Sequence, residues 1–181
     1  MVSLILTMAS ATLKSVSSYF PSFPCIDIII NCQSERGITM LKNIPPILSP
    51  ALLKTIGEMG HGDELVLGDA NFPSASLAKR LVRADGHGIP ELLDAILLFF
   101  PLDGFVECPV ALMDTGDPGI RPPIWQEYSK CILRREGDRH VELVERFAFY
   151  DRAKEAYAVV ATGETELYAN VILKKGVVAD V

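Results

Sequence analysis

No apolar run in this 181-residue chain is long enough to cross a bilayer, so a membrane is not an expected partner. Positive charge is not in excess either. Seventeen Lys and Arg stand against twenty-three Asp and Glu, a formal net charge of -6 that repels a phosphate backbone, and nucleic acid is not expected to bind. Cys25, Cys32, Cys108 and Cys131 form no CxxC pair and no cluster with histidine. That spacing argues against a zinc site and against a disulfide scaffold, and its simplest reading is four reduced thiols in the cytoplasm. Also missing are a Gly-x-Gly-x-x-Gly turn, a phosphate loop, a Gly-x-Ser-x-Gly elbow and any internal repeat. What survives is chemistry that needs only acid, base and hydrogen bonds, with no cofactor.

What the chain does have is a core. Hydrophobic residues make up 49% of it, and its length suits one well-buried domain better than two. Its character changes at Met40. Residues 1–39 mix Ser and Thr with short apolar bursts such as Ser3-Leu4-Ile5-Leu6, without sustained periodicity. An export signal would need basic residues ahead of a longer apolar stretch, but Lys14 lies behind this one. A transit peptide would need arginines, and none precedes Arg36. The expectation is an N-terminal extension over 1–39, poorly ordered or an alternative start, with the working domain over 40–181.

From Met40 helices and strands alternate. Ser49-Pro50 is a helix entrance, the hydroxyl capping free amides and the proline sitting where no amide partner is needed; a helix over Ala51 to Met59 follows, with Gly60 as its stop. Strands are expected at Glu64 to Leu67, 81–84, 110–113, 141–143, 158–161 and from Val171. Helices are expected over Ser74 to Arg80, Pro90 to Phe100, Ile124 to Arg135 and Arg146 to Ala156. Strand interiors that are apolar at consecutive positions imply an α/β sheet covered on both faces.

The stretch Met59 to Pro73, Met-Gly-His-Gly-Asp-Glu-Leu-Val-Leu-Gly-Asp-Ala-Asn-Phe-Pro, puts an imidazole and a carboxylate at the two mouths of one short buried strand. Each has an ordinary structural explanation. His61 between two glycines can be a helix C-terminal cap, and Asp69 after a strand can cap the next turn. Together they are a proton-transfer kit. Near the C-terminus, Arg146 and Tyr150 lie four apart, on one helix face, where a guanidinium and a phenol can reach one ligand, although an ordinary amphipathic helix would show the same spacing. Tyr168 and Asn170 alternate at the expected start of a strand and so share a face. Groups that both donate and accept suit the hydroxyls of a sugar.

Several motifs in order now carry a resemblance. They are Met40 to Pro50, Gly60-His61-Gly62-Asp63-Glu64, Gly68-Asp69-Ala70-Asn71-Phe72-Pro73, Arg83-Ala84-Asp85-Gly86, Arg146-Phe147-Ala148-Phe149-Tyr150, Thr162-Gly163-Glu164 and Tyr168-Ala169-Asn170. From Met40 almost to Val181 the chain resembles the fucose mutarotases, within a wider group that includes D-ribose pyranase. The resemblance implies a three-layer α/β/α single domain with a central sheet, assembling as a homo-oligomer, from dimer to ring-like decamer. It implies a monosaccharide substrate, most simply L-fucose, whose α and β anomers are interconverted by ring opening and closing without metal or redox chemistry. His61 then matches the general acid/base, and Asp103 a second acidic group at the reacting end. Asp69, Arg146, Tyr150, Tyr168 and Asn170 match sugar-hydroxyl ligands, and Met113 an apolar contact. Ribose pyranase activity, or a sugar-binding module without turnover, are the competing readings. Geometry sets a problem of its own: the eight residues from His61 to Asp69 would span about 26 Å if extended, several times a monosaccharide's width. Either the glycine turns fold back, or neighbouring subunits share each site.

Overall fold

The computed structural model of the chain describes residues 41–178; the extension expected over 1–39 lies outside the described residues. Helix α1 (Pro50–Glu58) begins as its entrance predicts, with the Ser49 hydroxyl accepting the Leu52 amide at 3.2 Å. Its far end is closed by a residue distant in sequence. The Lys175 ammonium donates to the carbonyls of Ile56 and Met59, both at 2.7 Å, and so satisfies the helix end.

The chain continues through β1 (Glu64–Gly68), α2 (Ser74–Leu77), β2 (Leu81–Ala84), α3 (Ile89–Ile96) and β3 (Val110–Met113). It then forms α4 (Ile124–Glu136), β4 (Val141–Val144), α5 (Arg146–Glu155), β5 (Ala158–Thr162) and β6 (Val171–Lys174). Two helices are shorter than expected. Helix α2 stops at Leu77, because Ala78 is already extended. Helix α3 stops at Ile96: the amides of Phe99 and Phe100 both turn to the Ile96 carbonyl, a tightening that ends the helix before Pro101.

The six strands form one sheet in the order β2-β5-β1-β6-β3-β4. Strand β1 runs parallel to β5, β5 to β2 and β3 to β4, whereas β6 is antiparallel to both β1 and β3. Alternation of helices and strands alone does not foretell that reversal. It follows from connection length: only residues 163–170 join β5 to β6, without a helix, too few to carry the chain back to the opposite end of the strands for a parallel return.

Both faces are covered. Leu65, Leu67, Leu112 and Leu173 meet α1, α3 and α4, while Val66, Ala111, Met113 and Ile172 meet Phe72 and the α5 residues Phe149 and Ala153. The sheet is thus the middle of three layers, and every residue of β3 is buried. Among the described residues no helix is long and apolar enough to cross a membrane.

This topology sorts the chemistry to two opposite ends of β1. The ends of β1 and β5 and the entry to β6 gather Gly68-Asp69, Thr162-Gly163-Glu164 and Asn170 at one. At the other, the turn before β1 meets the exit of β6, and the Asp103 amide bonds to the Lys174 carbonyl at 3.0 Å.

Candidate functional site

His61 rides on a closed turn. The Gly60 amide donates to Asp63 Oδ2 at 2.7 Å, the Asp63 amide to the Gly60 carbonyl at 3.2 Å, and the Gly62 amide to the Lys175 carbonyl at 2.8 Å. Gly62 has φ +85°, a left-handed value that glycine adopts freely. His61 is not the cap of α1, since Lys175 does that work. Its ring stands half in water and places Nε2 at 3.3 Å from Asp103 Oδ1. Asp103 is almost wholly buried, and the same Oδ1 accepts the Phe105 amide at 2.9 Å. That amide first, then His61, hold its carboxyl below the ordinary carboxylate range in spite of burial. A carboxylate can only accept, so it selects the imidazole tautomer with hydrogen on Nε2 and leaves Nδ1 as the basic nitrogen. The exposed Phe105 ring meets the imidazole edge-on at 5.6 Å.

At the opposite end of β1, Asp69 and Asn170 form a closed pair. The Asp69 amide donates to Asn170 Oδ1 at 2.9 Å, and Asn170 Nδ2 donates to Asp69 Oδ2 at 2.8 Å. Asp69 Oδ1 meanwhile accepts the Asn71 amide at 2.9 Å, so it caps the turn as an ordinary Asp would and anchors Asn170 besides. Both residues are buried. Burial pushes the Asp69 carboxyl up, against the bonds from Asn71 and Asn170. Met113 joins the pair, its Sδ 3.7 Å from Asn170 Nδ2.

Beside them a cavity of about 210 Å³ is walled by Asp114, Thr115, Gly116, Glu145, Arg146 and Tyr168. Arg146 is exposed, its guanidinium 4.7 Å from the Phe147 ring centre. One turn on, Tyr150 packs edge-on against Phe72 at 5.6 Å. The expected strand start at Tyr168 is corrected by the backbone: Tyr168 sits in a turn at φ +58°, and β6 begins only at Val171. Strand alternation therefore does not place Tyr168 and Asn170. Tyr168 is held through the backbone, by the bonds from Trp125 Nε1 to its carbonyl and from the Tyr128 hydroxyl to the Ala169 carbonyl, and Asn170 by its pair with Asp69 and by the Met113 amide, which donates to its carbonyl at 3.2 Å.

The structure thus groups the residues singled out in the sequence into two sets, His61 with Asp103 and Asp69 with Asn170, Met113, Arg146, Tyr168 and Tyr150. It does not bring the sets together. Strand β1 lies between them, and its five residues alone span roughly 13 Å from first to last Cα. Phe72, Trp125, Tyr128 and Glu164 have a part here that the sequence did not assign to them, although Phe72 and Glu164 lie inside the matched motifs. For Trp125 the signal was its being the only tryptophan in the chain.

Residues 42–178 match the RbsD / FucU transport protein family. The fucose mutarotase of Homo sapiens is 52% identical over 147 residues, covering 77% of this chain and 95% of that protein. The L-fucose mutarotase of Actinobacillus pleuropneumoniae is 52% identical over 144 residues, covering 76% and 97%. Among solved structures, the fucose mutarotase of Streptococcus pneumoniae in complex with L-fucose has a TM-score of 0.74 at 54% identity, covering 77% of this chain and all of that one. RbsD of Bacillus subtilis, complexed with D-ribose, has a TM-score of 0.57 at 24% identity and shares the fold.

Proposed function

The chain belongs to the RbsD / FucU transport protein family, and on that premise we propose that it is a mutarotase, an isomerase that interconverts the α and β anomers of L-fucose. The observation that carries the reading is the pairing of a half-exposed imidazole with a buried carboxylate, His61 with Asp103. A module that merely holds sugar has no use for such a pair. Mutarotation needs it: the anomeric hydroxyl gives up its proton, the ring oxygen gains one, C1 turns, and closure reverses both transfers. His61 takes and returns the proton: with Nε2 held by Asp103, its Nδ1 is the nitrogen left to accept it, and the imidazolium gives it back. Asp103 fixes the tautomer and steadies the imidazolium. Asp69, Asn170, Tyr168, Tyr150 and Arg146 hold the sugar's hydroxyls, and Met113 lies against its apolar side.

The distance between the two sets favours a site shared between subunits of a homo-oligomer, His61 of one facing the Asp69 set of another. The cytoplasm suits the free thiols of Cys108 and Cys131.

Substrate choice tests the reading. Arg146→Ala removes a charged donor to a sugar hydroxyl, a loss of roughly 1.5 to 3 kcal/mol, or about ten- to a hundredfold in binding. We expect weaker saturation by L-fucose with little change in turnover at saturation. Anomer-exchange rates for L-fucose, D-galactose and D-ribose, measured over a concentration series in both proteins, decide it. A wild type that prefers ribose would make the chain a pyranase, and one that binds without accelerating exchange would make it a noncatalytic module.

The working domain is proposed to begin at Met40, in keeping with a family match that starts at residue 42. Protein starting at Met40 is expected to fold, assemble and turn over like the full chain. Loss of assembly or activity at equal soluble yield would show that residues 1–39 belong to the domain.

A further inference from the structure

Two side chains of α4 that the reaction does not use cross the core to one stretch of backbone. Trp125 Nε1 donates to the carbonyl of Tyr168 at 2.9 Å, and the Tyr128 hydroxyl donates to the carbonyl of Ala169 at 2.8 Å. Three residues apart, they lie on one face of the helix and meet consecutive carbonyls. Trp125 is 8% and Tyr128 1% exposed, and Ala169 is fully buried, so water cannot readily take the place of a lost donor. Burial pushes the Tyr128 hydroxyl's pKa far up, helped by the charges of Glu164 and Asp69, so it remains a donor at any working pH.

The segment these donors hold has no ladder of its own. Residues 163–170 belong to neither helix nor strand. Its start is fastened by the Glu164 carboxylate, whose Oε1 accepts the amides of Thr165 and Glu166 and whose Oε2 accepts that of Ile89. Its end is fastened by the Asn170–Asp69 pair and by the Met113 amide, which donates to the Asn170 carbonyl at 3.2 Å. Between the two fastenings Tyr168 stands at φ +58°, a conformation that a bulky side chain keeps only when its surroundings impose it.

We propose that Trp125 and Tyr128 are positioning residues, which clamp the carbonyls of Tyr168 and Ala169 and thereby keep Tyr168 and Asn170 in their sugar-binding places beside Asp69. The proposal rests on the reading of Tyr168 and Asn170 as sugar ligands. Proton transfer at His61, beyond the other end of β1, does not depend on the clamp. Loosening it lowers the fraction of molecules with a competent binding end, and apparent affinity falls by that fraction.

Tyr128→Phe removes one oxygen and keeps the ring. KM for L-fucose is expected to rise about tenfold while kcat stays within about twofold, and Trp125→Phe to do the same. Turnover is not the only readout, because the chain has one tryptophan and hence one indole N–H resonance. In the wild type that proton is expected to exchange slowly with solvent and to shift when L-fucose is added; in Tyr128→Phe it exchanges faster. Ile132→Val trims a buried side chain on the same helix without touching either bond, and it is expected to lower thermal stability while leaving KM unchanged.

A tenfold KM change with kcat retained and faster indole exchange supports the clamp. Unchanged KM and exchange in a folded Tyr128→Phe overturn it, as does an equal KM change in Ile132→Val. Should Tyr128→Phe fail to fold, Trp125→Phe is judged by the same KM and kcat criteria. If the wild type neither binds nor turns over L-fucose, the mutarotase reading falls by itself, and indole exchange still decides for or against the clamp.

Discussion

His61→Ala is expected to lower catalysed mutarotation of L-fucose by roughly 10² to 10⁴-fold, the range over which a positioned acid/base acts. The side chain is 47% exposed and contributes no core packing. What it loses is the 3.3 Å contact with Asp103 and the edge-on contact with Phe105. The Gly60–Asp63 turn is made by backbone and Asp63 and does not need the imidazole. The variant should therefore melt near the wild-type temperature, and the lost rate can be read as chemistry. Exchange NMR between the two anomeric protons measures the rate above the spontaneous background. A folded variant exchanging anomers as fast as the wild type removes His61 from the mechanism.

Gly163→Ala should be the most damaging single-methyl change at the Asp69 end of β1, the end proposed to bind sugar. A Cβ on Gly163 would be driven into the backbone carbonyl of Asp85, with the His87 carbonyl 3.5 Å away. Backbone cannot swing aside as a side chain can. Relief requires the Asp85–His87 turn to move, which stretches the bond from the Gly163 amide to the His87 carbonyl and shifts the next residue, Glu164. Glu164 holds the Ala70 amide through its carbonyl and three further amides through its carboxylate. We expect a loss of about 3 kcal/mol, the upper end of overpacking costs, or roughly 10 °C in melting temperature, with weakened fucose binding besides. Gly57→Ala makes the comparison. That glycine lies within α1 with nothing near its would-be Cβ, so the same methyl group should stabilise by about 0.5 to 1 kcal/mol. Calorimetry on both variants checks the pair, and equal melting temperatures would contradict the packing argument.

Local chemistry was legible in the sequence where it governs the outcome. Ser49-Pro50 starts a helix whatever packs on it, and consecutive apolar residues such as Leu65-Val66-Leu67 demand a strand covered on both faces. Distant partners were hidden. Nothing near Lys175 reveals that it closes α1, over a hundred residues earlier, and that partnership is why His61 is free of the capping role its flanking glycines imply. Tyr168 read as strand because it alternates with Asn170; its left-handed turn is imposed by α4 and by the short link from β5. Chain arithmetic went further than motif reading at the site itself. It left two alternatives for His61 and Asp69, turns that fold back or a site shared between subunits, and β1 does stand between them.

That separation has a genetic consequence. If each working centre takes its imidazole from one chain and its carboxylate from another, the two halves can be broken in different molecules. His61→Ala and Asp69→Ala would each be strongly impaired alone. Mixed, dissociated and allowed to reassociate, they would form hybrids in which an intact His61 end meets an intact Asp69 end, at roughly a quarter of the junctions if pairing is random. Two inactive alleles expressed in one cell would complement each other, and a single defective allele would poison its normal partner by less than the number of hybrid assemblies implies.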